Sequence, residues 1–179
     1  MTRHAVRWIA LVVAGLLVAF GVVLAVQHRT EASTPRLVQE HRTAPQFDLS
    51  SLTDQPVSTK ALAGKTYIVN FWNSWCIPCQ QETPALAAFW AKHAHDPDVA
   101  LVGIVRDDTE SAVRGYVQDH GIDWTIALDP DGKAALAYGT TGQPETYAIS
   151  PSGVVAAAKI GPMSSKELEL FLAAARRNA

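Results

Sequence analysis

The chain has 179 residues, 48% of them hydrophobic and 18% charged, the size of one ordinary domain with a short extra segment, which argues against a solenoid or a two-domain enzyme. Fifteen Lys and Arg face 17 Asp and Glu, and three of the Arg (Arg3, Arg7, Arg29) fall in residues 1–29, which hold no acid, so the remainder carries 12 minus 17, or −5. A body of that sign, with no Lys/Arg stripe, disfavours nucleic-acid binding. Residues 8–26 (WIALVVAGLLVAFGVVLAV) run for 19 positions without a charge, close to the roughly 20 that a helix needs to cross a bilayer and longer than the about 7–15 of a signal-peptide core. No convincing small-x-small cleavage site follows the span before Gln27, His28 and Arg29. One uncleaved transmembrane helix is therefore expected, in preference to a cleaved signal peptide or a buried core helix. Arg3 and Arg7 before the span, against Arg29, Glu31 and Arg36 after it, give a weak positive-inside bias. It places the N-terminus in the cytoplasm and the following domain outside, as a single-pass protein of the cell membrane with its C-terminal domain extracytoplasmic. No Cys lies near the start, which excludes a lipidated cysteine as the attachment.

Residues 27–44 are polar, include Pro35 and keep no sustained period, so they read as a tether, with the folded domain over 45–179. Short extended pieces are expected at 47–49 and around Val57. TYIVNFW, at 66–72, is a near-continuous run of β-branched and aromatic residues, hence a strand buried on both faces. A helix follows from about 76 to 93, with Leu86, Phe89, Trp90 and His93 on one face and a kink expected at Pro84. VALVGIV, at 99–105, is a second buried strand. The next helix is opened by Thr109, stops near Gly121 and turns Val113, Tyr116, Val117 and His120 to one side. Strand, helix, strand implies a parallel pair joined by a crossover. A short strand at 124–128 and a short helix at 133–138 come next, then TYAIS and VVAAAKI form a hairpin about Pro151, Ser152 and Gly153. A last helix opens with capping-box spacing at Ser164 and Glu167 and buries Leu168, Phe171, Leu172 and Ala175. The order is that of an α/β domain, a sheet covered by helices.

The chemistry is concentrated in Trp75-Cys76-Ile77-Pro78-Cys79, which holds the two cysteines of the chain. At a strand-to-helix junction the first sulfur meets the unsatisfied N–H groups and positive end of the helix, which favour thiolate and attack on another disulfide. The second, one turn on, can attack the resulting mixed disulfide and release the product. Two other readings compete. Zinc bound by the cysteines with His93 and His95 fails on geometry, because residues two apart on a helix face differently and no second Cys pair exists; no metal is expected. Inert structural cysteines are the other. Pro144 stands at the start of an otherwise good strand, where proline must sit at an edge, an end or a bend. Trp75 offers partners an apolar contact, Trp72 reads as core, and His41, His93 and His120 read as structural or surface residues.

NFWNSWCIPCQQETPAL, YGTTGQPETYAI and APQFDL behind an anchor resemble the membrane-anchored thioredoxin-like proteins of the TlpA, ResA and CcmG (DsbE) group over residues 44–179. GIVRDDTESAVRGYVQDHGIDW and the PET tripeptide after Gln143 are most similar to the CcmG/DsbE branch. The resemblance implies a thioredoxin fold, a central mixed β-sheet flanked by helices, with a βα-type insertion that suits the 68-residue separation of Cys76 and Pro144. It implies Cys76 as attacking thiol, Cys79 as resolving thiol, Pro144 as a cis-proline facing them, Glu82 as the active-site glutamate, and Pro84 as the proline that bends the active-site helix. A cis bond would free the Gln143 backbone to pair with an extended partner, so Trp75, Pro78, Gln143, Pro144 and Glu145 form the expected substrate surface. Asn70 stands where ordinary thioredoxins keep a buried aspartate. Asn exchanges no proton, so Glu82 is the expected proton acceptor for Cys79, set against the plainer reading of a first-turn acid favoured by the helix dipole. Glu145 is a second candidate acid, set against a solvated or partner-facing residue.

The function implied is an extracytoplasmic thiol:disulfide oxidoreductase that needs no cofactor beyond its own Cys76–Cys79 disulfide. Its expected task is reducing apocytochrome c, or a thiol carrier that delivers it, with electrons from a membrane thiol relay of the CcdA or DsbD type. An oxidant of secreted proteins, a peroxiredoxin-like peroxidase and a non-catalytic binding module are the alternatives. Against the peroxidase, the position three before Cys76 is Asn73 rather than Thr.

Overall fold

The computed structural model describes residues 3–30 and 42–178, and chain contacts divide it into two units, Met1–Thr34 and Pro35–Ala179. The first is built on helix α1 (Arg3–Thr30). Its side chains are described at residues 7–8 and 11–22, a stretch shorter than a bilayer span, and they are exposed, Leu11, Leu16, Leu17 and Phe20 among them. Among the described residues no helix is long and apolar enough to cross a membrane. Most of the expected tether, including His41, lies outside the described residues.

The second unit is a seven-stranded mixed sheet with four helices. In chain order these are β1 (Asp48–Ser51), β2 (Pro56–Ser58), β3 (Thr66–Trp72), α2 (Ile77–His93), β4 (Val99–Val105), α3 (Glu110–Asp119), β5 (Thr125–Leu128), α4 (Lys133–Tyr138), β6 (Glu145–Ile149), β7 (Val155–Ile160) and α5 (Ser165–Arg177). The sheet order is β2-β1-β5-β4-β3-β6-β7. β3, β4 and β5 are parallel, with Thr66 opposite Val99 and Trp72 opposite Val105. β6 runs antiparallel on the other edge of β3, and β7 antiparallel to β6.

Two successive crossovers, β3-α2-β4 and β4-α3-β5, step across the sheet in the same direction. With the same right hand they must lay α2 and α3 on the same face, and α5 joins them there. From β5 the chain returns across the sheet to reach the free edge of β3, and α4 covers the opposite face on the way. The period of two along β3 feeds both cores: Ile68 and Trp72 pack toward α2, α3 and α5, while Tyr67, Val69 and Phe71 pack toward α4. The α3–β5 unit occupies the place expected for the insertion, between the first parallel pair and the hairpin.

α2 continues through Pro84, and Cys76 is its N-cap rather than a helical residue. Thr109 caps α3 as expected. Ser164 and Glu167 form the full capping box of α5, with Leu168, Phe171, Leu172 and Ala175 buried beneath it. His120, read in the sequence as a structural or surface residue, is the exposed C-cap of α3 and stacks on Tyr116 with ring centroids 3.9 Å apart. The polar stretch ending at residue 44 also belongs partly to the fold. The Ala44 amide donates to the Gly153 carbonyl at 2.8 Å and the Val155 amide to the Arg42 carbonyl at 2.9 Å, and Ala44 is buried. An exposed hairpin turn offers unpaired backbone groups, and the incoming chain satisfies them.

Candidate active site

The end of β3 delivers the chain through residues 73–76 onto the N-terminus of α2, at the carboxyl edge of the parallel strands, where open α/β sheets present their sites. Cys76 and Cys79 form a disulfide with Cα atoms 5.2 Å apart. The Cys79 amide donates to Cys76 Sγ at 3.2 Å, so the first sulfur is the side-chain cap of α2. Once reduced, that donor and the positive helix end favour Cys76 as thiolate. Pro78, in the first turn, costs nothing there because that turn's N–H groups have no intrahelical acceptor. Cys76 is 5% exposed, but its neighbours Trp75 and Ile77 are 59% and 67% exposed, an apolar rim beside the disulfide.

The neighbouring loop after β4 holds this segment in place. The Asn73 side-chain amide donates to the carbonyls of Arg106 and Asp107, and the Ser74 amide donates to the Asp108 carboxylate at 2.7 Å. Trp75 Nε1 donates to the Asp107 carbonyl at 3.1 Å. Asp107 reaches that position with φ of 54°, a left-handed conformation that Asp tolerates better than most residues.

The peptide between Gln143 and Pro144 is cis. β6 pairs Glu145 with Phe71, and continuing that register sets Pro144 level with Trp72, at the sheet end from which the dithiol loop departs. Gln143 is half-buried beside it and Pro144 is buried.

Glu82 is 1% exposed, and its two oxygens have partners from two other elements. Oε2 accepts from Asn70 Nδ2 at 3.0 Å and Oε1 from the Met163 amide at 2.9 Å. Burial raises its carboxyl to about 7, against the Met163 amide, the Asn70 amide and the Lys159 charge, which all lower it, while Glu167 adds to the rise. The first turn of α2 contains no acid, so Glu82 is not the dipole-favoured first-turn residue of the plainer reading. It lies one turn beyond Cys79 on the same helix, and Cys79 shares a cavity of about 10 Å³ with Asn70, Trp72 and Thr83.

Glu145 departs from both expectations set for it. It is buried, not solvated or partner-facing, and by strand alternation it shares the α4 face with Tyr147, opposite the face that carries Glu82. Its carboxylate accepts from the Tyr147 hydroxyl and, at 3.0 Å, from the Thr141 amide. That ties down the loop that carries Pro144, which is a positioning task and no route to the dithiol proton. His93 lies against Glu169 at 3.0 Å, and among the described residues no cluster of His, Cys, Asp or Glu could hold a metal ion.

The profile of the AhpC/TSA family matches residues 41–158, well over half of the chain. The chain belongs to that family. Among its relatives, thiol-disulfide oxidoreductase ResA of Bacillus thuringiensis (strain Al Hakam) is 30% identical over 75% of this chain and 78% of the relative. Thiol:disulfide interchange protein DsbE of Allochromatium vinosum is 32% identical over 69% of this chain and 67% of the relative. The solved structure of a thiol:disulfide interchange protein of the thioredoxin family from Chlorobium tepidum superposes with a TM-score of 0.68 at 29% identity, covering 77% of this chain and 98% of the other. This AhpC/TSA protein thus has the thioredoxin-like α/β fold and is a thiol-disulfide oxidoreductase of the ResA and DsbE type.

Several residues around the dithiol of this AhpC/TSA domain escape a reading of the sequence. Asp107 and Asp108 show there only as turn formers after a strand, and Asn73 only as the residue where a peroxidase would need Thr. Met163 acts through its backbone N–H, which no side-chain pattern reveals. Thr146 accepts from Asn70 Nδ2 at 2.9 Å, and a lone Thr in an apolar strand carries no signal of its own.

Proposed function

We propose that this protein is held in the cell membrane by its N-terminal helix and reduces protein disulfides on the extracytoplasmic side, in cytochrome c maturation. Its substrate is apocytochrome c or the thiol protein that delivers it, and a membrane thiol relay of the CcdA or DsbD type re-reduces the Cys76–Cys79 disulfide. The anchor is supported by the 19 uncharged residues at 8–26 and by the exposed apolar side chains on α1. The maturation task is supported by the motif set around CIPC and GQPET.

The observation that carries the exchange mechanism is Glu82, a buried carboxyl raised to about 7 behind the dithiol, while the reductive direction is argued from the motif set around CIPC and GQPET. In the reduced protein the Cys76 thiolate attacks one sulfur of the partner disulfide, and the other partner sulfur leaves as thiolate. Cys79 then gives its proton to Glu82 and attacks Cys76 Sγ, releasing the second partner thiolate. Two electrons pass to the partner, its two sulfurs end as thiols once protonated, and the Cys76–Cys79 disulfide forms. A carboxyl that titrates near neutrality is matched to that proton. The reduction potential of the Cys76/Cys79 couple tests the direction: a value of roughly −250 mV or lower is expected, whereas one near about −120 mV makes the protein an oxidant and overturns the reading.

A further inference from the structure

Behind the dithiol, three neighbouring strands carry one polar residue each at the same level. Asn70 of β3 is in register with Thr146 of β6, and Thr146 with Lys159 of β7. All three are buried, Lys159 to 4% exposure. The helices covering this face close both ends of the row with a carboxylate. At one end Asn70 bonds both Thr146 and Glu82 of α2. At the other, Lys159 Nζ donates to Glu167 of α5 at 2.6 Å. The β7–α5 connection ties the two acids together, since the Met163 amide donates to Glu82 and the Ser164 amide to Glu167.

An ammonium so deeply buried is costly and needs opposite charge close by. Glu167 supplies it from a side chain that is 30% exposed. The lysine is not needed for the start of α5, because Ser164 and Glu167 complete the capping box between themselves. What its charge does reach is Glu82, whose carboxyl Lys159 draws down against the larger push of burial, while Glu167 adds to that push. The groups facing Glu82 from the packed elements are thus Asn70 and Lys159 from the sheet, Glu167 from α5 and Cys79 from its own helix.

We propose that Lys159 is a positioning residue for the dithiol: divided between Glu167 and the Asn70–Glu82 network, its ammonium sets the charge state of Glu82 near neutral pH. The consequence for disulfide exchange rests on the proton role of Glu82 proposed above. Lys159→Met removes the charge and keeps the bulk. Glu167→Gln keeps a capping-box residue and leaves the lysine to Glu82 alone. The two changes therefore push Glu82 in opposite directions, which loss of packing would not do.

The test is a carbon-13 titration of the Glu82 side-chain carboxyl in the full-length chain, with its resonance assigned by loss in Glu82→Gln. It is paired with the pH profile of the rate at which the reduced protein is oxidised by an aryl disulfide. Lys159→Met is expected to raise the carboxyl midpoint by about half a pH unit or more, Glu167→Gln to lower it, and the rate profile to follow each. A midpoint that stays in place in Lys159→Met, whatever Glu167→Gln does, or that moves the same way in both variants, overturns the inference whatever the rates do. Midpoints that move as expected while the rate profile stays fixed support the lysine inference and overturn the proton role of Glu82. Should Lys159→Met fail to fold, Lys159→Gln carries the decision, since it removes the charge but keeps a donor for Glu167: a raised midpoint supports the inference and an unmoved one overturns it.

Discussion

The roles of the two sulfurs separate cleanly by substitution. In Cys79→Ser, Cys76 keeps its place at the helix cap, where the amide of residue 79 reaches its sulfur, and attacks partners that nothing then releases. Mixed disulfides are expected to accumulate on non-reducing gels, and Cys76→Ser should leave none; equal trapping by both variants would reverse the assignment. Glu82→Gln removes a negative charge from the neighbourhood of the dithiol, so the thiolates form more easily and the apparent thiol pKa falls. Turnover slows at the same time, because the proton acceptor is gone. These titrations belong to the Cys76, Cys79 and Glu82 set rather than to one residue. Alkylation rate against pH, measured beside turnover, should show both changes, and a profile unchanged in both respects would remove Glu82 from the mechanism. The cysteines and Glu82 are legible in the chain because their spacing from one another is local. Glu145 is not legible in the same way, since only the parity of its position in β6 decides which face receives it.

At the scale of elements, the two central strands fall where the sequence puts them, over 66–72 and 99–105, since a strand buried on both faces reads as a near-continuous apolar run. A less visible requirement lies at Gly103 in β4. A Cβ there would stand 2.6 Å from Trp72 Nε1 and 2.8 Å from Ile126 Cδ1. The isoleucine tip can rotate away, but the indole is flat, rigid and fixed between β4 and Tyr116. Gly103→Ala is therefore expected to destabilise the domain by about 1–3 kcal/mol through overpacking. Denaturant unfolding checks it, and a midpoint equal to wild type would mean that Trp72 has room to yield. Trp72 also walls the cavity beside Cys79, so its displacement should be felt at the dithiol as well.

For the whole molecule, Glu82 gives stability a definite dependence on pH. Its carboxyl rises from about 4.5 unfolded to about 7 folded, so the native state holds the proton more tightly. The contribution is fully present below pH 4.5, is lost as pH rises through 7, and amounts to something on the order of 3 kcal/mol. Thermal unfolding of the disulfide form, in which the cysteines carry no proton, should show the domain less stable at pH 8 than at pH 5. Glu82→Gln should remove most of that difference, and an equal slope in the variant would place its origin elsewhere. Attachment is a second property of the whole chain. Membrane fractionation with an alkaline wash is expected to leave the full-length protein in the pellet, and a shortened soluble form beginning near residues 27–35 would rule out the uncleaved anchor.

By itself the sequence determined what is local: strand and helix identity from apolar period, helix starts from Thr109 and Ser164, and a redox dithiol from two cysteines at the head of a helix. Each depends on residues within a turn or two of one another. The tertiary structure alone decided which edge of β3 receives β6 and in what register, and so the face of the sheet, opposite that of Glu82, that Glu145 takes. It also decided that Arg42 and Ala44 close the hairpin turn, and that Lys159 and Glu167 stand behind the dithiol. Those contacts join residues dozens of positions apart, Met163 to Glu82 among them. No short-range pattern encodes them, because they arise when the return from β5 chooses an edge and when burial, rather than spacing, selects the partners of each polar group.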